Sequence, residues 1–177
     1  MKLKNLKRFL KGTARDETGS VTMIEFVMTM PLVLVLMFST VESGILLVQQ
    51  MMLDRALDIN VRQLRLGANL TQSELETAIC NDASIIANCD ATMTLELTII
   101  DKSTWQMPAT SAACYDRQAD ITPVTNFAAG IDSDLMMIRA CVIVDPLFPL
   151  LGLGKAMSDT NNGDFTISAR SAFVNEP

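Results

Sequence analysis

Hydrophobic residues fill one long stretch near the start of the chain, from Phe26 to Val48. About 23 helical residues at 1.5 Å each reach roughly 34 Å, enough to cross a bilayer core of about 30 Å. The helical period then continues, because one face recurs at steps of three and four residues: Gln50, Leu53, Leu57, Val61 and Leu64. We therefore predict one helix from about Val21 to Leu66 that spans the membrane, becomes amphipathic and stops at Gly67.

Later segments carry the alternating pattern of strands. Thr92–Ile100 places Met93, Leu95, Leu97 and Ile99 on one face and polar residues on the other, which predicts a half-buried strand. Leu135–Val144 is nearly all apolar and suits a central strand, and Phe165–Phe173 alternates again. Before them, Thr71 and Glu74 form a capping box for a short helix ending near Cys80. The predicted fold is α+β, with a small antiparallel sheet packed on the long helix.

Charge divides the chain into three parts. The first twenty residues hold six basic residues and two acidic ones, whereas residues 51–177 are acidic. Since basic residues flank the apolar stretch only on its N-terminal side, the positive-inside rule places that side in the cytoplasm. We expect a leader at 1–20, a transmembrane helix at 21–50 and an extracytoplasmic domain at 51–177. A cleavable secretory signal is the alternative, but the apolar run restarts at Ile45 and no clear Ala-x-Ala site is found.

Most polar residues of the span share a face. On a helix with 100° per residue, they lie within about 60° of one direction: Thr22, Glu25, Thr29, Ser39, Thr40 and Ser43. Such a stripe allows close helix packing in lipid, although the hydroxyls can instead bond to carbonyls of their own helix. Glu42 lies about 100° off the stripe, where it either snorkels to the interface or caps a neighbouring contact. Pro31 removes a backbone hydrogen bond and is expected to kink or loosen the helix.

The four cysteines all follow the span, which places them in an oxidising compartment if the topology is right. Disulfides are the favoured interpretation, and proximity in sequence suggests Cys80 with Cys89 and Cys114 with Cys141. A zinc site is the alternative, but the chain has no Cys-x-x-Cys pair and no histidine. We predict no bound metal.

Other chemistry finds little support. Without histidine there is no Ser-His or Cys-His dyad, and no glycine-rich phosphate loop occurs. We expect a protein that is not an enzyme and has no cofactor, no small-molecule substrate and, given its acidic body, no nucleic-acid partner. Two segments are left to explain. Lys102–Asp134 is a long polar loop, and the apolar Pro146–Gly154 either tucks under the sheet or is an exposed contact surface for a partner subunit or the membrane.

The start of the helix carries a family likeness. A basic leader ends at Gly19 and Ser20, Glu25-Phe26 follow, and the helix contains Pro31 and then Val41–Gly44. These residues resemble the N-terminal region of TadE-like minor pseudopilins, components of the tight-adherence branch of type IV pilus systems. The likeness is strongest over residues 15–66. It implies a pilin-like architecture and a structural role in assembling a Tad/Flp pilus for surface adhesion.

The resemblance also implies processing. In this family a prepilin peptidase, a membrane aspartyl protease, cuts before four residues followed by Glu. A cut after Gly19 puts Glu25 at the sixth mature position, whereas a cut after Ser20, at the Ser20/Val21 bond, restores the fifth; both sites stay open. Cleavage frees an α-amino group, largely cationic at neutral pH, near the Glu25 carboxylate. The two can pair within one chain or between subunits, or Glu25 is solvated by headgroups.

The implied partners are the membrane, the prepilin peptidase, other pseudopilins and pilus assembly proteins. The implied location is the bacterial inner membrane, crossed once, with the N-terminus cytoplasmic and the C-terminal domain periplasmic, and with incorporation into an extracellular pilus left open. We take Glu25 and Phe26 as assembly and register residues, and Thr29, Ser39, Thr40, Ser43 and Glu42 as helix-packing residues. The alternative function is an unprocessed bitopic anchor that presents an extracytoplasmic binding domain.

Overall fold

The computed structural model describes residues 18–107, 114–117, 123–128, 130–131, 133–160 and 165–176. Four helices and three strands occur in these ranges. In chain order they are α1 (Thr18–Arg65), α2 (Gln72–Asp82), α3 (Cys89–Thr92), β1 (Thr94–Ile100), β2 (Leu135–Val144), α4 (Gly152–Thr160) and β3 (Phe165–Val174). The predicted α+β architecture is confirmed.

The long helix α1 forms as the apolar pattern predicts. It runs for 48 residues and continues through Pro31, so its length is about 72 Å. It ends where Gly67 adopts a left-handed φ of 83°, a conformation that costs glycine no steric strain. The Gly67 N–H donates to the Leu64 carbonyl, and thus one of the last carbonyls of the helix is satisfied.

Helix α2 begins with the predicted capping box. The Glu74 N–H donates to Thr71 Oγ1, and the Glu74 carboxylate accepts the Thr71 N–H at 2.9 Å. The hydrogen bonds that the Glu74 carboxylate accepts from the Thr71 N–H and from Thr71 Oγ1 lower the pKa of Glu74. The helix is joined to α1 by the buried Asn60, whose amide donates to the Ala56 carbonyl and to Asp82 Oδ2 at 2.9 Å.

The three strands form one antiparallel sheet in the order β1-β2-β3, so β2 is central as predicted. Leu95 pairs with Ala140, and Ala140 pairs with Ala169, in one register across the sheet. This face packs on the outer half of α1. The buried core between them includes Leu53, Leu57, Val61, Leu95, Leu97, Ile138, Ala140, Val142, Ile167, Ala169 and Phe173.

Two details of the first predicted strand are wrong. Thr92 ends the helical turn α3, with its hydroxyl donating to the Asn88 carbonyl, so the strand begins at Thr94. Ile99 is exposed, whereas its neighbour Ile100 is buried.

The opposite face of the sheet is also covered. Thr94 is buried there beside its strand partner Cys141, and Arg139 forms a 2.5 Å ion pair with Glu96. Cys114, in a described part of the long loop between β1 and β2, is bonded to Cys141 on this face.

The described parts of that loop also protect the free edge of β1. The Leu97 N–H donates to the Asn126 carbonyl at 2.8 Å, and the Ala128 N–H donates to the Leu97 carbonyl at 3.0 Å. Arg117 makes a bidentate ion pair with Asp145, just beyond β2. These contacts blunt an edge that could otherwise pair with another strand.

Candidate functional site

The inner half of α1 lies outside the folded domain. It belongs to the one helix, among the described residues, that is long and apolar enough to cross a membrane, and none of its most apolar stretch is buried. Its exposed residues include Val21, Phe26, Leu32 and Leu36. An apolar surface of this length that no other described part of the chain covers is consistent with a membrane anchor.

The predicted processing and register residues lie at the beginning of this surface. Gly19 and Ser20 belong to the first turn of α1, and their side chains are outside the described residues, as are residues 1–17. Val21, Glu25 and Phe26 are exposed. The Glu25 side chain therefore faces outward, and the described residues give it no buried partner.

The second carboxylate of the helix has a different role. Glu42 is 1% exposed, and its two oxygens accept the Leu147 N–H at 2.8 Å and the Phe148 N–H at 3.0 Å. The sequence offered two alternatives for Glu42, snorkelling to the interface or capping a neighbouring contact, and neither named the loop that it binds. Glu42 instead fixes a distant loop to the helix, and the two N–H donors satisfy a carboxylate that apolar surroundings would otherwise destabilise.

That loop is the apolar segment 146–154, which we call the leucine turn. Beyond Glu42, it contacts α1 through the Phe148 ring, whose centre lies 4.7 Å from that of Phe38, and through the Leu153 N–H, which donates to Ser39 Oγ. Gly152 is required at the closest approach, because a Cβ there would lie 2.4 Å from Ser39 Oγ and its φ is +54°. The leucine turn packs on α1 and leaves Leu147, Leu150 and Leu151 exposed, so its contact with a partner subunit or the membrane stays a prediction.

The hydroxyl stripe is satisfied within α1. Thr29 and Ser39 donate to the Glu25 and Val35 carbonyls one turn earlier, and Thr40 and Ser43 donate three residues back. These hydrogen bonds within one helix are the predicted alternative to hydrogen bonds between helices. Thr29 and Thr40 stay exposed, whereas Ser39 also accepts the Leu153 N–H, so packing of a helix from another subunit on the stripe stays a prediction.

A protein-family model matches most of this helix. The model, described as TadE-like protein, matches residues 19–59. Over this range the chain is similar to TadE-like proteins. The resemblance inferred from the sequence is confirmed. No curated protein and no solved structure matched the chain.

The TadE-like segment begins at the predicted processing region and ends inside the outer half of α1, among residues that the domain buries. It thus contains Glu25, the exposed span and Glu42. Similarity to this family implies a protein associated with the Tad pilus. The sheet, both disulfides and the leucine turn lie outside the match.

Two disulfides brace the domain that the TadE-like segment carries. Cys80 is bonded to Cys89 and Cys114 to Cys141, the pairs that proximity favours. Such bonds persist in oxidising compartments, which suggests an extracytoplasmic domain. Within the described ranges, no group of three or more potential metal-ligating side chains occurs.

Proposed function

We propose that this chain is a minor pseudopilin, cut by a prepilin peptidase, that assists assembly of a Tad/Flp pilus used for surface adhesion. The observation that carries the proposal is the TadE-like match over residues 19–59, since it joins the cleavage region, Glu25 and the exposed span in one segment. The protein is a structural component and acts by packing against other pilus subunits and assembly proteins.

Topology follows from charge and disulfides. The basic leader stays in the cytoplasm, the helix crosses the inner membrane once, and the disulfide-braced domain lies in the periplasm. After cleavage, the helix stays in the bilayer until it joins a pilus or a priming complex. The domain makes this subunit larger than a bare helix. The subunit therefore suits a special position in the pilus, where the domain makes lateral contacts, better than the role of the repeated subunit of the shaft.

Glu25 sets the axial register of assembly. Its side chain is exposed at the beginning of the span, where an ionised carboxylate in lipid is costly without a partner. Cleavage creates a suitable partner in the new α-amino group, and pairing between neighbouring subunits satisfies both charges. Loss of the charge should therefore affect assembly and leave the fold of the single chain intact.

Processing is tested by mass spectrometry of the N-terminus of the membrane-bound protein, in cells with and without a prepilin peptidase. We expect a start at Val21, or at Ser20 if the cut follows Gly19, that disappears when the peptidase is absent. An intact Met1 in both strains would favour the unprocessed bitopic anchor. A start beyond Ser43 would mean secretion and would contradict the assembly mechanism.

The role of Glu25 is tested by comparing Glu25→Ala with Met23→Ala, a change at an equally exposed apolar position of the same turn. We expect Glu25→Ala to be cut as before but to lower the amount of sheared surface pili several-fold, because the new amino group lacks its carboxylate. Met23→Ala should leave piliation unchanged. If the Glu25→Ala protein supports normal piliation, Glu25 does not set the register of assembly. The proposal that a prepilin peptidase cuts the chain would still stand.

A further inference from the structure

The leucine turn lies at the depth of the membrane. The bilayer core needs about 20 helical residues. Because Asp16 and Glu17 are charged, the core begins no earlier than Thr18, and it then extends to Met37 or beyond. The leucine turn contacts α1 between Val35 and Glu42. Every placement that keeps the span in lipid therefore puts this contact at the outer boundary of the core or inside it.

The surface of the turn suits lipid. Residues 146–154 contain no charged side chain, and Leu147, Leu150 and Leu151 are 57%, 83% and 45% exposed. Beside them on α1, Leu36 and Val41 are exposed as well. The leucines thus continue the apolar surface of the span around the helix.

The backbone of the turn is also prepared for a dry environment. Pro146 and Pro149 have no N–H, and four of the seven N–H groups of the other residues donate to these acceptors: Leu147 and Phe148 to Glu42, Leu151 to the Phe148 carbonyl, and Leu153 to Ser39 Oγ. Non-helical backbone is tolerated at membrane depth only when its polar groups are satisfied by protein. Two of these acceptors are side chains of the span itself.

We propose that the leucine turn enters the outer leaflet beside α1 and that lipid acyl chains contact Leu147, Leu150 and Leu151. Glu42 fixes the leucine turn at this depth. The leucine turn also covers the Glu42 carboxylate and so separates it from lipid. The domain is then held at the bilayer surface by two adjacent insertions, the helix and the turn. This inference rests on the proposed membrane anchoring.

The test uses the single tryptophan of the chain. In the full-length Trp105→Phe protein, one tryptophan is placed by Leu150→Trp, by Leu147→Trp, by Leu32→Trp in the span or by Val124→Trp as a control. Val124 is fully exposed, and its neighbour Thr125 accepts a hydrogen bond from Gln72 of α2, at the far end of the domain. Each protein is reconstituted into phosphatidylethanolamine and phosphatidylglycerol vesicles with or without brominated acyl chains.

We expect bromines near the headgroups to lower the emission of the Leu150→Trp and Leu147→Trp proteins by about twofold, as for a group buried 5 to 10 Å into the interface. Leu32→Trp should be quenched most by bromines near the chain ends, and Val124→Trp should not be quenched. If Leu32→Trp is quenched but Leu150→Trp and Leu147→Trp instead behave like Val124→Trp, the turn lies outside lipid and this inference is wrong. If Leu32→Trp is not quenched either, the membrane anchoring itself fails.

Discussion

Replacing Glu42 with alanine is expected to lower the free energy of unfolding by about 2 to 4 kcal/mol, because it leaves two backbone N–H groups without their acceptor. Glu42 is 1% exposed, and both oxygens are used, one by Leu147 and one by Phe148. The measurement is urea unfolding of the full-length protein in detergent. Glu42→Gln should have a smaller effect, since its one carbonyl oxygen can still accept one of the two hydrogen bonds.

Glu25→Ala is the matched control, because it removes an exposed carboxylate from the same helix. It should change the free energy of unfolding by no more than about 0.5 kcal/mol. Amide hydrogen exchange supplies a local readout: with Glu42→Ala, the Leu147 and Phe148 amides should exchange faster, whereas amides of β2 should keep their relative protection. Equal stability of the Glu25 and Glu42 variants would show that Glu42 does not hold the leucine turn.

The second large effect concerns the disulfides. Removing the Cys114–Cys141 bond by a double change to alanine should lower the free energy of unfolding by about 4 kcal/mol, and removing Cys80–Cys89 by about 3 kcal/mol. The order follows from loop length, since the bonded cysteines are 27 and 9 residues apart and a longer closed loop restricts the unfolded chain more. Alanine is chosen because Cys141 is fully buried, where a serine hydroxyl would need a new partner.

Urea unfolding of the two double variants, each compared with the unreduced protein, checks both the sizes and their order. The long loop gives a second difference between them. Only the Cys114 and Cys141 variant should expose the face of β1 that carries Thr94, so Thr94 and its neighbours should lose exchange protection there alone. If removing the bond between Cys80 and Cys89 lowered the free energy of unfolding by the larger amount, the longer loop would not be the main constraint on the unfolded chain.

Local patterns predicted the elements because each pattern is set by neighbours in sequence. The helical period of Leu53, Leu57 and Val61 follows from the geometry of α1, and the alternation along Phe165–Phe173 follows from strand pleating. The capping box at Thr71 and Glu74 was equally readable, since its two hydrogen bonds join residues three apart.

The contacts that form the leucine turn site could not be predicted in this way. Glu42 binds N–H groups that lie 105 and 106 residues further along the chain, and backbone N–H donors leave no mark on residue type. The hydrogen bond between Asn60 and Asp82 was equally unpredictable, since no residue near Asn60 in the sequence indicates Asp82 as its partner. The polar composition of the face of β1 with Thr94 predicted solvent exposure, but Thr94 is buried, and Cys114 of the long loop is bonded to its strand partner Cys141. Polar residues on a strand do not reveal whether another segment will pack over them.

The domain holds α1 at two levels, through the leucine turn at Val35–Glu42 and through the sheet and α2 as far as Leu64. The domain therefore holds about 30 residues, roughly 45 Å of helix, in one fixed orientation about the helix axis. Because the helix is joined to the domain at both levels, a rotation of α1 about its axis rotates the domain with it. In the proposed assembly, the contacts made by the span and the surface that the domain offers to neighbouring subunits would therefore be oriented together.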